Sequence, residues 1–257
     1  MISDNDLTRY SRQIIIPGFE EEGQEEILSK NILIIGAGGL GCPTALHCAA
    51  TGFGSIDIWD NDKVELSNLN RQIGHKNSRI GFSKAKSLQE SCQEINPNIS
   101  ISSKNKSFGL KSDIKKYDII FDCTDNIETR YIINKKCHLE KKILVSGAAT
   151  QFEGQVSVFK SGVDKNLPCY ECVFPKKSLN MPNYNCREAG IIGPVTNFIA
   201  SLQVIEAIRE SLFKLKHNTN NFFFDHSNAG YLFLYDASTH EINKIKIKKN
   251  PNCNICK

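Results

Sequence analysis

Asn31-Ile-Leu-Ile-Ile-Gly36-Ala37-Gly38-Gly39-Leu40-Gly41 is the stretch on which the fold turns. Its first half is an unbroken apolar run, which suits a strand buried on both faces of a parallel sheet. Its second half is rich in glycine where a helix is due. Glycine permits a tight turn and the close approach of a phosphate, and a helix N-terminus offers free N–H donors with partial positive charge. Asp60 follows the next apolar segment, 19 residues beyond Gly41, where a carboxylate can hydrogen-bond a ribose hydroxyl. Strand, glycine loop, helix and acid in this register predict a nucleotide site. The fingerprint does not say which nucleotide, and a dehydrogenase using NAD remains open.

Working outward, Ser55–Trp59 reads as the second strand and residues 83–95 as the next helix. Further strands are expected over 99–103, 118–123 and 143–146, with a helix over 126–141. This alternation predicts an α/β fold, a doubly wound, mostly parallel Rossmann-like sheet. After Thr150 the pattern changes. A strand over 153–160 leads into a proline-bearing, loop-rich stretch, and such long loops are usually functional. A helix over 194–215 has proline in its first turn and apolar residues at helical spacing. Strands over 221–225, 231–235 and 242–247 then extend the sheet with antiparallel pairing. Residues 1–257 thus form one domain, with a nucleotide-binding half over 1–150 and a second half over 151–257.

Composition narrows the class. The net charge is only +4, and the lysines are dispersed, which argues against nucleic acid as partner. The run Lys244, Lys246, Lys248 and Lys249, alternating with Ile245 and Ile247, reads as a half-buried strand with a solvated lysine face. The first ten residues are polar, unlike a secretory leader, and no segment has the apolar length of a membrane span. Ten cysteines without a leader suggest metal or catalytic thiols in a cytoplasmic protein.

A charged loop runs from Asp60 through Asp62, Asn68 and Arg71 to Gln72, and Lys84 opens the next helix. Phosphoryl or adenylyl transfer needs such cations because charge develops on the phosphates; hydride transfer does not. Asp122-Cys-Thr-Asp125-Asn126 ends a buried strand at the carboxyl edge of the sheet, where ligands of such sheets bind. Asp125 suits Mg²⁺, which takes a few carboxylates alongside phosphate oxygens. Its alternative role is to cap the helix beginning at Asn126.

Two CxxC pairs, Cys169-Tyr-Glu-Cys172 and Cys253-Asn-Ile-Cys256, would fill the tetrahedral shell of Zn²⁺ and leave no open position, as a structural site does. Cys186 lies in the long loop beside Arg187, a setting that can lower a thiol pKa for nucleophilic work. Cys42, Cys48, Cys92, Cys123 and Cys137 fall on helices or strands and read as small core residues. His75 borders the charged loop and reads as a solvated surface histidine.

Together, Arg9-Tyr-Ser-Arg12-Gln13, the glycine loop, Ser67-Asn-Leu-Asn-Arg-Gln72, Asp122-Cys-Thr-Asp-Asn126 and Gly193-Pro-Val195 resemble the ThiF/MoeB/HesA family, the bacterial relatives of ubiquitin-activating enzymes. The resemblance implies an ATP-dependent adenylyltransferase acting on the C-terminal Gly-Gly of a ubiquitin-like sulfur-carrier protein. It matches Asp60 to the ribose acid, Arg71 and Lys84 to phosphate-binding cations, and Asp125 to the Mg²⁺-linked acid. Arg12 matches an arginine that homodimers insert into the partner's ATP site. Cys186 matches a cysteine that in ThiF-like members links covalently to the carrier. The segment Asn185–Pro194 leans toward ThiF and a ThiS-like carrier of thiamine synthesis, with MoeB and a MoaD-like carrier of molybdopterin synthesis as the alternative. With no rhodanese-like segment after Cys256, a separate sulfur donor is expected. A non-catalytic binder of ubiquitin-like proteins would be expected to lack Arg12, Arg71, Lys84 and Asp125.

Overall fold

Ile32 and Ile34 join the core on one face of the sheet, Leu33 and Ile35 the core on the other, and all four are buried. The apolar run is therefore a central strand, β1 (Asn31–Ile35). In the computed structural model, which describes residues 2–176, 189–213 and 226–257, it pairs in parallel with β2 (Ser55–Trp59) and β4 (Ile119–Asp122). Parallel pairing continues outward to β3 (Ser100–Lys104) and β5 (Ile143–Thr150). Three antiparallel strands extend the sheet: β6 (Glu153–Phe159), β7 (Tyr231–Asp236) and β8 (Glu241–Lys246). The order is β3-β2-β1-β4-β5-β6-β7-β8. The direction of strand progression reverses between β1 and β4, and ligands of such sheets bind at the carboxyl edge of this switch point.

Helices α4 (Gly41–Thr51) and α5 (Lys84–Ile95) contribute to the core over one face. The 20-residue helix α8 (Gly193–Leu212) joins them. The opposite face is covered by α6 (Ile127–Leu139), the short α7 (Tyr170–Val173) and the segment that buries Phe108 and Ile114. Gln203, fully buried on α8, donates to the carbonyls of Asp122 and Val145 and so ties that helix to the ends of β4 and β5.

Three N-terminal helices were not anticipated: α1 (Asp4–Arg9), α2 (Ser11–Ile14) and α3 (Glu20–Ser29). The first carries a legible signal, since Ser3 and Asp6 form a reciprocal capping box. The reading of the lysine run is corrected. β8 is exposed along its whole length, with Ile242 and Ile245 about half accessible. It is an edge strand beyond the reach of the covering helices, so alternation there does not mean burial. Lys244 lies over the Tyr231 ring, 4.4 Å from its centre. The strand expected over 221–225 and the end of the 194–215 helix lie outside the described residues. Among the described residues no helix is long and apolar enough to cross a membrane.

Candidate nucleotide and metal sites

The turn from β1 into α4 is possible because of two glycines. Gly36 has φ +97°, in the left-handed region, and a Cβ there would lie 2.7 Å from the Cys123 carbonyl oxygen. A Cβ on Gly41 would stand 1.8 Å from the Gly36 carbonyl oxygen. Backbone meets backbone at both places, so only glycine fits. The same loop gathers its neighbours. A Cβ on Gly38 would lie 3.7 Å from Gln72 Nε2, and one on Gly39 would lie 3.2 Å from Thr196 on α8. Gly193, at the start of α8, is as close to Asn70 and Arg71. Three segments distant in sequence thus converge at the carboxyl edge: the glycine loop, residues 70–72, and the N-terminus of α8.

Asp60 lies just beyond β2. Its carboxylate accepts from the backbone N–H of Ala37 and of Asp62, both at 2.7 Å, which locks the acid against the glycine loop. Lys84, largely buried at the start of α5, pairs with Asp62 at 3.1 Å. Ser83 caps this helix, so the lysine occupies its first turn. Arg71 is half-buried and donates to the Ser67 carbonyl at 2.9 Å and to Asn70 Oδ1 at 3.0 Å. Asn68 is buried and holds the 3-10 turn Leu66–Asn68 by accepting from Glu65 N–H.

The loop after β4 shows which residue caps the helix that follows it. Asn126, not Asp125, caps α6, accepting from Thr129 N–H at 2.9 Å. Asp125 is exposed beside the cap. Beneath it, the buried Asp122 accepts from Thr124 N–H, the Thr124 hydroxyl and Ser146 Oγ. Arg130 on α6 pairs with Asp122 at 3.6 Å and donates to the carbonyls of Thr124 at 2.5 Å and Gly147 at 2.9 Å. The peptide groups on both sides of Thr124 are therefore held, and with them the approach to Asp125. Sequence reasoning missed Arg130, although its place on the turn after an acidic strand end was available as a signal.

His75 is corrected from a surface residue to a buried one, 7 % exposed. Its Nε2 lies 3.0 Å from the Ala37 carbonyl and its Nδ1 3.0 Å from Ser87 Oγ. Burial, helped by the charges of Lys84 and Arg79, holds its pKa below the ordinary histidine value, against the opposing pull of the Ala37 carbonyl and Asp60. The ring is neutral at pH 7. Cys42, Cys48, Cys92, Cys123 and Cys137 are buried as expected, and burial pushes Cys92 and Cys123 up to about 12. Such thiols are poor nucleophiles.

The two CxxC pairs come together. The sulfurs of Cys169, Cys172, Cys253 and Cys256 all lie within 4.8 Å of one another. Cys169 and Cys172 are 4.0 Å apart, Cys169 and Cys253 3.6 Å, and Cys172 and Cys256 3.4 Å. Four sulfurs about 2.3 Å from one tetrahedral ion would be about 3.8 Å apart, so the cluster fits a metal of that kind. Backbone N–H groups of Asn250 and Ile255 face Cys172 and Cys253, 3.5 Å from each sulfur. These donors favour thiolates. Arg12 is exposed on α2, next to the exposed Ile15 and Ile16. Cys186 lies outside the described residues.

A family model described as "ThiF family" matches residues 10–255. Among curated relatives, "Adenylyltransferase and sulfurtransferase MOCS3" of Dictyostelium discoideum is 39% identical over 259 residues, covering 99% of this chain and 58% of the relative. The protein of the same description in Drosophila sechellia is 38% identical, covering 99% of this chain and 54% of its own. The chain therefore spans a little over half the length of these relatives. Among solved structures, E. coli MccB superposes with a TM-score of 0.80 at 19% identity, covering 99% of this chain and 74% of that one. MccB with ATP gives 0.73 at 20% identity, covering 91% and 68%. At these identities the likeness is one of fold.

Arg130→Ala would leave the Asp122 carboxylate buried without its cation. We expect a loss of about 3 kcal/mol in unfolding free energy, measured by urea denaturation. A loss below about 1 kcal/mol would show that the hydroxyl and amide donors suffice.

Proposed function

The chain belongs to the ThiF family, and from that premise we propose that it adenylates the C-terminal carboxylate of a ubiquitin-like sulfur-carrier protein, using ATP. The observation that carries this reading is the convergence around one glycine loop of Asp60, the Arg71 segment, the buried Lys84 and the loop bearing Asp125. An enzyme that moved hydride would have no use for this mixture of cations and acid beside the phosphates.

In the proposed reaction, a carboxylate oxygen of the carrier's terminal glycine attacks the α-phosphorus. The bond from that phosphorus to the bridging oxygen breaks, and pyrophosphate leaves with the electron pair. No protein base is required, because the attacking carboxylate is already ionised at pH 7. Asp60 receives the ribose, and the amides of the glycine loop receive phosphate oxygens. Arg71 and Lys84 offset the charge that builds on the leaving group. Lys84 would exchange part of its pairing with Asp62 for the phosphates. Asp125, exposed at the end of the loop after β4, would hold Mg²⁺, which would supply further charge neutralisation.

Of the two carriers, the MoaD-like one of molybdopterin synthesis is favoured over the ThiS-like one, on the strength of the MOCS3 relatives. Their description as sulfurtransferases also supports a sulfur carrier as the substrate. We assign the cluster of Cys169, Cys172, Cys253 and Cys256 to structural Zn²⁺, tying the segment around Cys253 to α7. Arg12 would serve the ATP site of a homodimer partner, a role supported by its exposure beside two exposed isoleucines.

Carrier-dependent exchange of pyrophosphate into ATP tests the activity. Asp125→Ala is expected to lower exchange by roughly 100-fold or more while leaving the fold intact. Exchange without any carrier, or binding of NAD in place of ATP, would refute the reading. For the metal, elemental analysis of unchelated protein should find about one zinc per chain, and its absence would remove the site. If the carrier is instead ThiS-like, the Cys186→Ala variant should still adenylate it but fail to pass sulfur to it. Normal sulfur transfer would remove its covalent role.

A further inference from the structure

Ala37 stands between Gly36 and Gly38 at the centre of the glycine loop, and both of its backbone polar groups are held. Its N–H donates to Asp60 Oδ2 at 2.7 Å, and its carbonyl faces His75 Nε2 at 3.0 Å. A carbonyl can only accept, so Nε2 carries the proton and Nδ1 accepts from the Ser87 hydroxyl at 3.0 Å. Ser87 is fully buried on α5, one turn beyond Lys84. His75 therefore braces the glycine loop against the helix that carries the buried lysine. The Cys42 sulfur lies 3.4 Å from the same Ala37 carbonyl and closes the contact from the α4 side.

The consequence lies in the next peptide group. In a trans peptide the carbonyl and the following N–H point in opposite directions. With the Ala37 carbonyl drawn inward to His75, the Gly38 N–H must point outward. A Cβ at Gly38 would meet only Gln72 Nε2, at 3.7 Å, so the loop is open at this residue. Among the described residues this N–H has no protein acceptor. Glycine at 38 tolerates either direction of the peptide, so local sequence does not decide it. The buried histidine does.

We infer that His75, as the neutral Nε2–H tautomer, is a positioning residue that sets the 37–38 peptide so that Gly38 N–H donates to a phosphate of the bound nucleotide. This rests on the nucleotide reading given above. A backbone donor to a charged phosphate is worth about 1.5–3 kcal/mol, or roughly 10- to 100-fold in affinity.

Three variants, His75→Gln, His75→Phe and Ser87→Ala, test it by calorimetric titration with ATP and by crystal structures of the nucleotide-free protein. Glutamine keeps an amide N–H in reach of the Ala37 carbonyl, whereas phenylalanine keeps the volume and loses the donor. His75→Gln should bind ATP within about threefold of wild type, His75→Phe at least about tenfold more weakly, and Ser87→Ala in between. The 37–38 peptide should be turned over in His75→Phe alone. A folded His75→Phe with unchanged affinity overturns the proposal, and so does weakened binding with the peptide unturned. Equal weakening in His75→Gln and His75→Phe also overturns it, because a merely structural ring would behave that way. If His75→Phe does not fold, full ATP affinity in Ser87→Ala is the overturning result, and weakened affinity supports the proposal. Wild-type protein that binds no ATP would refute the functional reading instead, while the peptide direction in nucleotide-free crystals would still test the brace.

Discussion

The close approach of backbone to backbone at the end of β1 is the constraint on which the rest of the structure depends. Gly41 lies so near the Gly36 carbonyl that a single added carbon would stand 1.8 Å from its oxygen. Gly36 in turn lies against the Cys123 carbonyl at the end of β4. These contacts bring the N-terminus of α4 to the point where the chain changes direction across the sheet. The nucleotide site proposed at this edge would therefore be a consequence of packing as much as of ligand chemistry.

Around that point the polar groups are held in pairs, which is how a low-dielectric edge keeps charged groups without losing the fold. Asp60 is satisfied by two backbone amides, Asp122 by two hydroxyls, an amide and Arg130, and Lys84 by Asp62. Each buried charge has a partner, which offsets the cost of removing it from water. The exposed carboxylate of Asp125 lies at the rim of this arrangement, its loop held from below. Rigidity beneath and access above suit the ligand-holding role proposed for it.

The antiparallel extension has a different logic. β6 and β7 still have partners on both sides, but β8 runs along the edge with its isoleucines half exposed. The cysteine cluster joins α7 to the segment around Cys253, where there is little apolar core to do so. A few sulfur–metal bonds can hold such a junction where hydrophobic burial cannot.

From β1 to β5 the strands, helices and glycine loop were legible because each carries a local cause: apolar runs for buried strands, glycine where backbone must bend, serine or asparagine before a helix. The pairing of Cys169-x-x-Cys172 with Cys253-x-x-Cys256 was legible for the same kind of reason, since four thiols at that spacing have few other uses. Burial was not. His75, Asn68 and Arg130 read like any polar residue in a loop or helix, and Ile242 and Ile245 read like half-buried strand residues. Which element covers which is a long-range fact. The sequence by itself determined the elements of the alternating half from β1 onward, the β1–α4 turn and the chemistry available at the sheet edge. Only the tertiary structure decided that Asn126 rather than Asp125 caps α6, that β8 lies uncovered, and that an imidazole from a distant turn holds the Ala37 carbonyl. The physical reason is that hydrogen-bond partners and solvent exposure depend on what packs alongside, and a local stretch of chain does not encode its neighbour.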